Sequence, residues 1–153
     1  PRPVDVDLSE LVREEIARRA AADRIPVRVT VAEDVTIAAV RTHVTRVLTN
    51  LLDNAQRHAR DEVTVELAAE PGGGARLSVG DDGPGIPQAE RERVFDRFVR
   101  LDEARSRDAG GAGMGLAIVR EVVTAHGGRI RVDTAPAGGT LIVVVLPGRL
   151  NTR

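Results

Sequence analysis

Apolar positions along the chain switch between a helical and a strand period, and the switches mark its elements. Asp7-Leu8-Ser9-Glu10 reads as a helix cap with Glu10 at the capping-box position, and Leu8, Leu11, Val12 and Ile16 follow at helical spacing. This predicts a first helix ending near Asp23. Val27, Val29 and Val31 alternate as in a strand, and a second short strand is expected over 35–38. The strongest signal is a helix over 41–59, where Val44, Val47, Leu48, Leu51, Leu52, Ala55 and Ala59 make one broad apolar stripe. Val63, Val65 and Leu67 alternate, Pro71-Gly72-Gly73-Gly74 reverses the chain, and 75–79 returns, which predicts a hairpin. A glycine- and proline-rich loop over 81–87 leads to a short helix predicted over 90–98. Residues 101–113 are charged and then glycine-rich, with little periodicity. A helix over 114–125, stopped by Gly127-Gly128, precedes a last strand pair, 129–134 and 141–146, around Ala137-Gly138-Gly139.

Helices and hairpins without regular βαβ repeats predict an α+β fold in two layers. Helices lie on one face of a mixed, mostly antiparallel sheet. With 153 residues and no linker or internal repeat, residues 1–153 are expected to form a single domain. The start at Pro1-Arg2-Pro3, without methionine, suggests a piece of something longer.

Composition narrows the chemistry mainly through what is missing. There is no cysteine, so disulfides, thiol nucleophiles and cysteine-held metals are excluded. There is no lysine among the 22 basic residues. Walker-A phosphate loops, the strand lysine of eukaryotic-type protein kinases and Schiff-base chemistry go with it. The only aromatic side chains of the Phe, Tyr and Trp class are Phe95 and Phe98, too few for a platform on which nucleic-acid bases stack. A net charge of −1 gives no field toward nucleic acid or anionic lipid. The longest apolar run, Leu141 to Leu146, is far too short for a membrane-spanning helix.

Three constellations remain. On the long helix, Asn50 and Asn54 sit one turn apart with Arg57 a further turn on, flanking the apolar stripe. Asparagine is a poor mid-helix residue. Such a pair is either solvent-exposed or offers amide oxygen to a hard cation; magnesium takes few protein oxygens and completes its shell with water and phosphate. Asp81-Asp82-Gly83-Pro84-Gly85-Ile86-Pro87 follows a strand. Acids at turns are usually solvated or capping, but a buried one would accept from an exocyclic amine such as adenine's, and the glycines allow close backbone approach. Finally, Gly110-Gly111-Ala112-Gly113-Met114-Gly115-Leu116 feeds a helix N-terminus, where unpaired N–H groups and the helix dipole favour an anion such as phosphate.

Together, in this order and spacing, these runs resemble the catalytic, ATP-binding domain of sensor histidine kinases. That family shares a wider superfamily with gyrase, a heat-shock chaperone and mismatch-repair ATPases. Asn50-Leu51-Leu52-Asp53-Asn54-Ala55 is similar to the family's asparagine box and Asp81-x-Gly83-x-Gly85 to its first glycine box. Val94-Phe95-Asp96-Arg97-Phe98 is similar to its phenylalanine box, Gly111-x-Gly113-x-Gly115-Leu116 to its second glycine box, and Gly139-Thr140 to its last glycine motif. The resemblance implies the two-layer Bergerat-type sandwich, with ATP and Mg2+ as cofactors and a flexible lid over 96–110. It implies Asn54 as the magnesium ligand, with Asn50 and Arg57 near the phosphates and His58 in contact with phosphate or lid, unless His58 is merely a surface residue. Asp81 would take the adenine amino group, Gly83 and Gly85 would shape its pocket, and Thr140 would lie beside it. Gly111, Gly113 and Gly115, with Leu116, would cap the phosphates, and the lid arginines, Arg97 and Arg100 among them, would approach them. Ala112, Met114, Val99 and Ala137 depart from the family pattern without removing a metal or adenine ligand.

The first position of the asparagine box bears on the reaction. ATP-hydrolysing relatives carry a glutamate there to activate water; Asn50 cannot act as a base. Transfer to a partner is therefore favoured over hydrolysis. Neither His43, His58 nor His126 sits in an acceptor-like sequence, so the phosphoacceptor is expected on a separate helical dimerisation domain, with a response regulator as the indirect partner. No nucleic acid and no direct membrane contact are expected, and the resemblance implies a cytoplasmic domain of a membrane-anchored bacterial kinase. The alternatives are a serine protein kinase or gyrase-like ATPase of the same fold, or a nucleotide-binding module without catalysis.

Overall fold

The computed structural model describes residues 2–96 and 112–148. The chain opens with β1 (Val4–Asp7), a strand that its short alternation does not announce, and passes directly into α1 (Leu8–Arg19). Asp7 caps that helix, its Oδ1 accepting from the Glu10 amide at 3.0 Å. Regular helix stops four residues short of the expected Asp23. The chain turns there instead, with the Ala22 and Asp23 amides both donating to the Arg19 carbonyl. β2 (Val27–Val31) and β3 (Thr36–Ala39) lead to α2 (Arg41–His58), within a residue of expectation. β4 (Val63–Ala69) and β5 (Ala75–Asp81) form the expected hairpin, and α3 (Ala112–Ala125), β6 (Arg129–Thr134) and β7 (Thr140–Leu146) close the chain.

The short helix expected over 90–98 is a correction. Its described part is two 3₁₀ turns, Gln88–Glu90 and Arg93–Phe95. Arg91 between them is tied sideways, its guanidinium donating to the Ile86 carbonyl (3.0 Å) and to Thr134 Oγ1 (2.9 Å). The rest of that expected helix lies outside the described residues.

Five strands form the main sheet in the order β2-β4-β5-β7-β6; β2 and β4 are parallel, and the other pairs are antiparallel. β1 and β3 pair as a separate antiparallel ribbon. Alternation along the strands turns Val63, Val65, Leu67, Leu77, Val79, Ile142 and Val144 to one face, where α2 and α3 pack with Val44, Val47, Leu48, Leu51, Leu52, Val119 and Val123. The α+β, two-layer expectation is met.

α2 has no side-chain cap, because its N-cap residue is Val40. The end of α3 lies against this point. His126 Nδ1 bonds the Val122 carbonyl (2.8 Å) while Nε2 accepts from the Val40 amide (3.2 Å), so both bonds need the neutral Nδ1–H tautomer. Both helix ends at the core are thereby set relative to each other.

Leu51 is fully buried at the centre of α2. Leu51→Ala should cost about 2–5 kcal/mol of unfolding free energy. Urea denaturation followed by circular dichroism measures it, and a loss under 1 kcal/mol would contradict the placement of α2 at the core.

Candidate functional site

Three backbone segments converge at the end of β5. Gly83 follows it, the end of α2 passes alongside, and the β6–β7 turn closes over the top. A Cβ built on Gly83 would stand 2.2 Å from the His58 carbonyl oxygen, and one on Gly139 2.1 Å from the Asp81 carbonyl oxygen. Neither position has room for any side chain, so glycine is a packing requirement at both. Gly85 differs: its φ of +79° is what excludes other residues, and the space beside it is ordinary.

This convergence buries Asp81 to 5% exposure beside Thr140, also 5% exposed. Asp81 Oδ1 accepts from the Gly83 amide at 2.8 Å and the Thr140 amide at 3.4 Å. Oδ2 takes no hydrogen bond from any described residue. Burial pushes the Asp81 carboxyl above the ordinary carboxylate range; the two amides and nearby His58 pull the other way without reversing the shift. A buried carboxylate with one oxygen held and the other unmatched is a built acceptor awaiting a donor.

Its neighbour Asp82 does different work. Its carboxylate gathers the amides of Arg60 (2.7 Å) and Asp61 (3.1 Å), closing the chain reversal between α2 and β4. Those donors hold its carboxyl below the usual range, outweighing desolvation. The two acids of one motif thus serve opposite ends, one a site and the other a capped turn.

On α2, Asn50 and Asn54 are half-buried and Arg57 is exposed, all on one strip beside the apolar stripe. Neither asparagine side chain hydrogen-bonds to another described residue. His58 lies at the last turn, its Nδ1 3.0 Å from the Asn54 carbonyl. Groups of three or more His, Cys, Asp or Glu able to hold a metal are absent among the described residues. The donors that are present on this strip, neutral amide oxygens, suit a hard cation such as magnesium rather than zinc.

Gly113 lies in the first turn of α3, and a Cβ on Gly115 would meet nothing within 4 Å. Gly115 is therefore spacious rather than sterically forced. Leu116 is half-buried and packs on the core. Phe95 is buried and belongs to the core, with the Arg120 guanidinium 5.4 Å above its ring. Arg97, Phe98, Val99, Arg100, Gly110 and Gly111, and the lid span beyond Asp96, lie outside the described residues. Asp81, Gly83, Gly85, Thr140 and the His58 end of α2 meet at the end of β5, while Asn50, Asn54 and Arg57 lie along α2 leading up to it. The capping work of Asp82 is one of the usual roles of an acid at a turn, whereas the ring contact of Arg120 was missed by sequence reading, having no periodic signal because Phe95 is far away in the chain.

Residues 39–150 match the family described as histidine kinase-, DNA gyrase B- and HSP90-like ATPase, and the chain belongs to that family. Within it, the chain corresponds to the ATP-binding catalytic domain of sensor histidine kinases. It is 38% identical over 151 residues to the sensor-like histidine kinase SenX3 of Mycobacterium tuberculosis, covering 96% of this chain and 37% of that protein. Among solved structures it is similar to the mycobacterial sensor histidine kinase MprB, with a TM-score of 0.84, 39% identity and coverage of 97% of this chain and 100% of that one. It is also similar to the catalytic domain of histidine kinase ThkA, with a TM-score of 0.85, 25% identity and coverage of 97% of each chain. The chain thus spans little more than a third of the curated relative. No described helix is long and apolar enough to cross a membrane.

The raised Asp81 carboxyl has a stability consequence. The native state holds that proton more tightly than the unfolded chain, so its contribution is present at low pH and lost as pH rises through the native-state value. Asp81→Asn removes the charge while its Oδ1 keeps both amide bonds. The nucleotide-free variant should melt higher than the native chain at pH 7, with the gap narrowing toward pH 4. Thermal denaturation across that range checks it; a variant less stable at pH 7 would contradict the reading.

Proposed function

We propose that this chain binds Mg-ATP and presents its γ-phosphoryl group to a histidine on a separate helical dimerisation domain of the same kinase, in two-component signalling. The observation that carries the proposal is the unmatched Oδ2 of buried Asp81, an acceptor placed for an exocyclic amine. The Gly83 and Gly139 backbones pack against the His58 and Asp81 carbonyls and so hold Asp81 in this buried position. Asn54 would hold magnesium, with Asn50 and Arg57 toward the phosphates; a bound magnesium ion supplies charge neutralisation along the triphosphate.

The chain's own contribution is positioning and charge. Asp81 orients the base, the α2 strip aligns the phosphates, and the N-terminal turn of α3 offers amide donors and the positive end of the helix dipole. Asn50 supplies no base for water, which favours transfer over hydrolysis. Residues 1–153 would then be one catalytic domain of a longer, membrane-anchored kinase, located in the cytoplasm, with the response regulator acting downstream of the histidine.

Incubation with radiolabelled ATP tests this. The chain alone should hydrolyse slowly and incorporate no label. Supplied in trans with its histidine-bearing helical domain, it should label that domain with phosphate that is lost in acid and retained in base. Label on this chain alone, or an acid-stable product on the partner, would contradict the proposal.

A further inference from the structure

α2 presents three strips. One is apolar and faces the core, one carries Asn50, Asn54 and Arg57, and the third carries Thr49, Asp53 and Gln56, spaced by four and three residues. The third strip is bonded along its whole length to α1 and the segment after it. Thr49 Oγ1 donates to Glu15 Oε2 at 3.3 Å, and Glu15 is itself buried and paired with Arg18. The Arg19 guanidinium binds Asp53 at 2.9 Å and grips Asp23 through two bonds of 3.0 and 3.1 Å. The Gln56 amide makes a two-way bond with the Ile25 backbone, accepting at 2.9 Å and donating at 2.7 Å.

Apolar packing is non-directional and tolerates a small roll of the helix about its axis; these polar bonds do not. At a side-chain radius of about 6 Å, a roll of about 10° moves a polar tip by about 1 Å. Magnesium demands near-octahedral geometry, so an error of that size at Asn54 matters. The Arg19 side chain is only 11% exposed and already committed to Asp23 in the turn that follows its helix, so it is a fixed post rather than a mobile surface charge.

We propose that Asp53, anchored on Arg19 and supported by Gln56 on Ile25, is a positioning residue that sets the roll of α2 and so aims Asn54 and Asn50 into the site. This deepens the Mg-ATP reading and rests on it. It gives the one member of the asparagine box without a role a specific task, and makes α1 the outer support of the metal-facing strip.

Calorimetric titration with the non-hydrolysable analogue AMPPNP, with magnesium and with EDTA, separates aim from fold. Asp53→Ala should weaken binding in magnesium about tenfold, as loss of an outer support of a metal ligand does, and leave the magnesium-free affinity within about twofold of native. Arg19→Ala should do the same, and the double variant should be no worse than either single one. Asp53→Asn, which keeps one bond from Arg19, should fall between native and alanine. Asp53 is 52% exposed, so circular dichroism should show these Asp53 variants folded. Native affinity in magnesium for Asp53→Ala, an equal loss with and without magnesium, or additive losses in the double variant would overturn the positioning role. A native chain that bound the analogue with no magnesium dependence would instead overturn the metal reading beneath it.

Discussion

The burial of one carboxylate, Asp81, is the constraint on which the rest of the site depends. A carboxylate taken out of water without a cation is costly unless donors meet it, and here two backbone amides meet only one of its oxygens. Holding it there requires the end of α2, the end of β5 and the β6–β7 turn to approach more closely than any side chain allows. Gly83 and Gly139 stand where they do for that reason. The site is thus a local cost that the apolar core sustains, and the cost is expressed as a buried acceptor with one oxygen unmatched.

α2 converts that core into chemistry. Its apolar stripe anchors it on the sheet, its polar strip supplies the amides, and its third strip is pinned to α1. On the proposed Mg-ATP reading, one helix carries stability, ligand contact and alignment on separate strips, so a substitution on one acts on a different observable from a substitution on another. The His126 bridge between Val40 and Val122 adds a further restraint, at the opposite end of the same helix.

How much of this was legible in the sequence follows from the range of the interactions. The stripe from Val44 to Ala55, the β4–β5 hairpin and the Asp7 cap depend on neighbours a few residues apart, and periodicity or turn chemistry reads them directly. The box motifs placed Asn50, Asn54, Asp81, Gly83 and Thr140 together because their order resembles a known family; composition alone would have left Asp81 as a solvated turn. β1 escaped notice since Val4 and Val6 alternate over only four residues, and its partner β3 lies beyond α1 and β2. The parallel pairing of β2 with β4 crosses β3 and α2 and leaves no local trace. The 3₁₀ turns before Asp96 reflect Arg91 reaching Thr134, and the Arg19–Asp53 pair joins two helices; both are tertiary choices that no window of sequence contains.

The most direct test of the central claim compares ATP with GTP on the native chain. On the proposed reading adenine would offer its exocyclic amine to Asp81 Oδ2, whereas guanine would place a carbonyl oxygen at the equivalent edge, against a buried carboxylate. Calorimetric titration in magnesium should show ATP bound more tightly than GTP by at least about tenfold, the scale of one buried charge-assisted hydrogen bond. Equal affinity for the two nucleotides would contradict the assignment of Asp81 as the acceptor that reads the base.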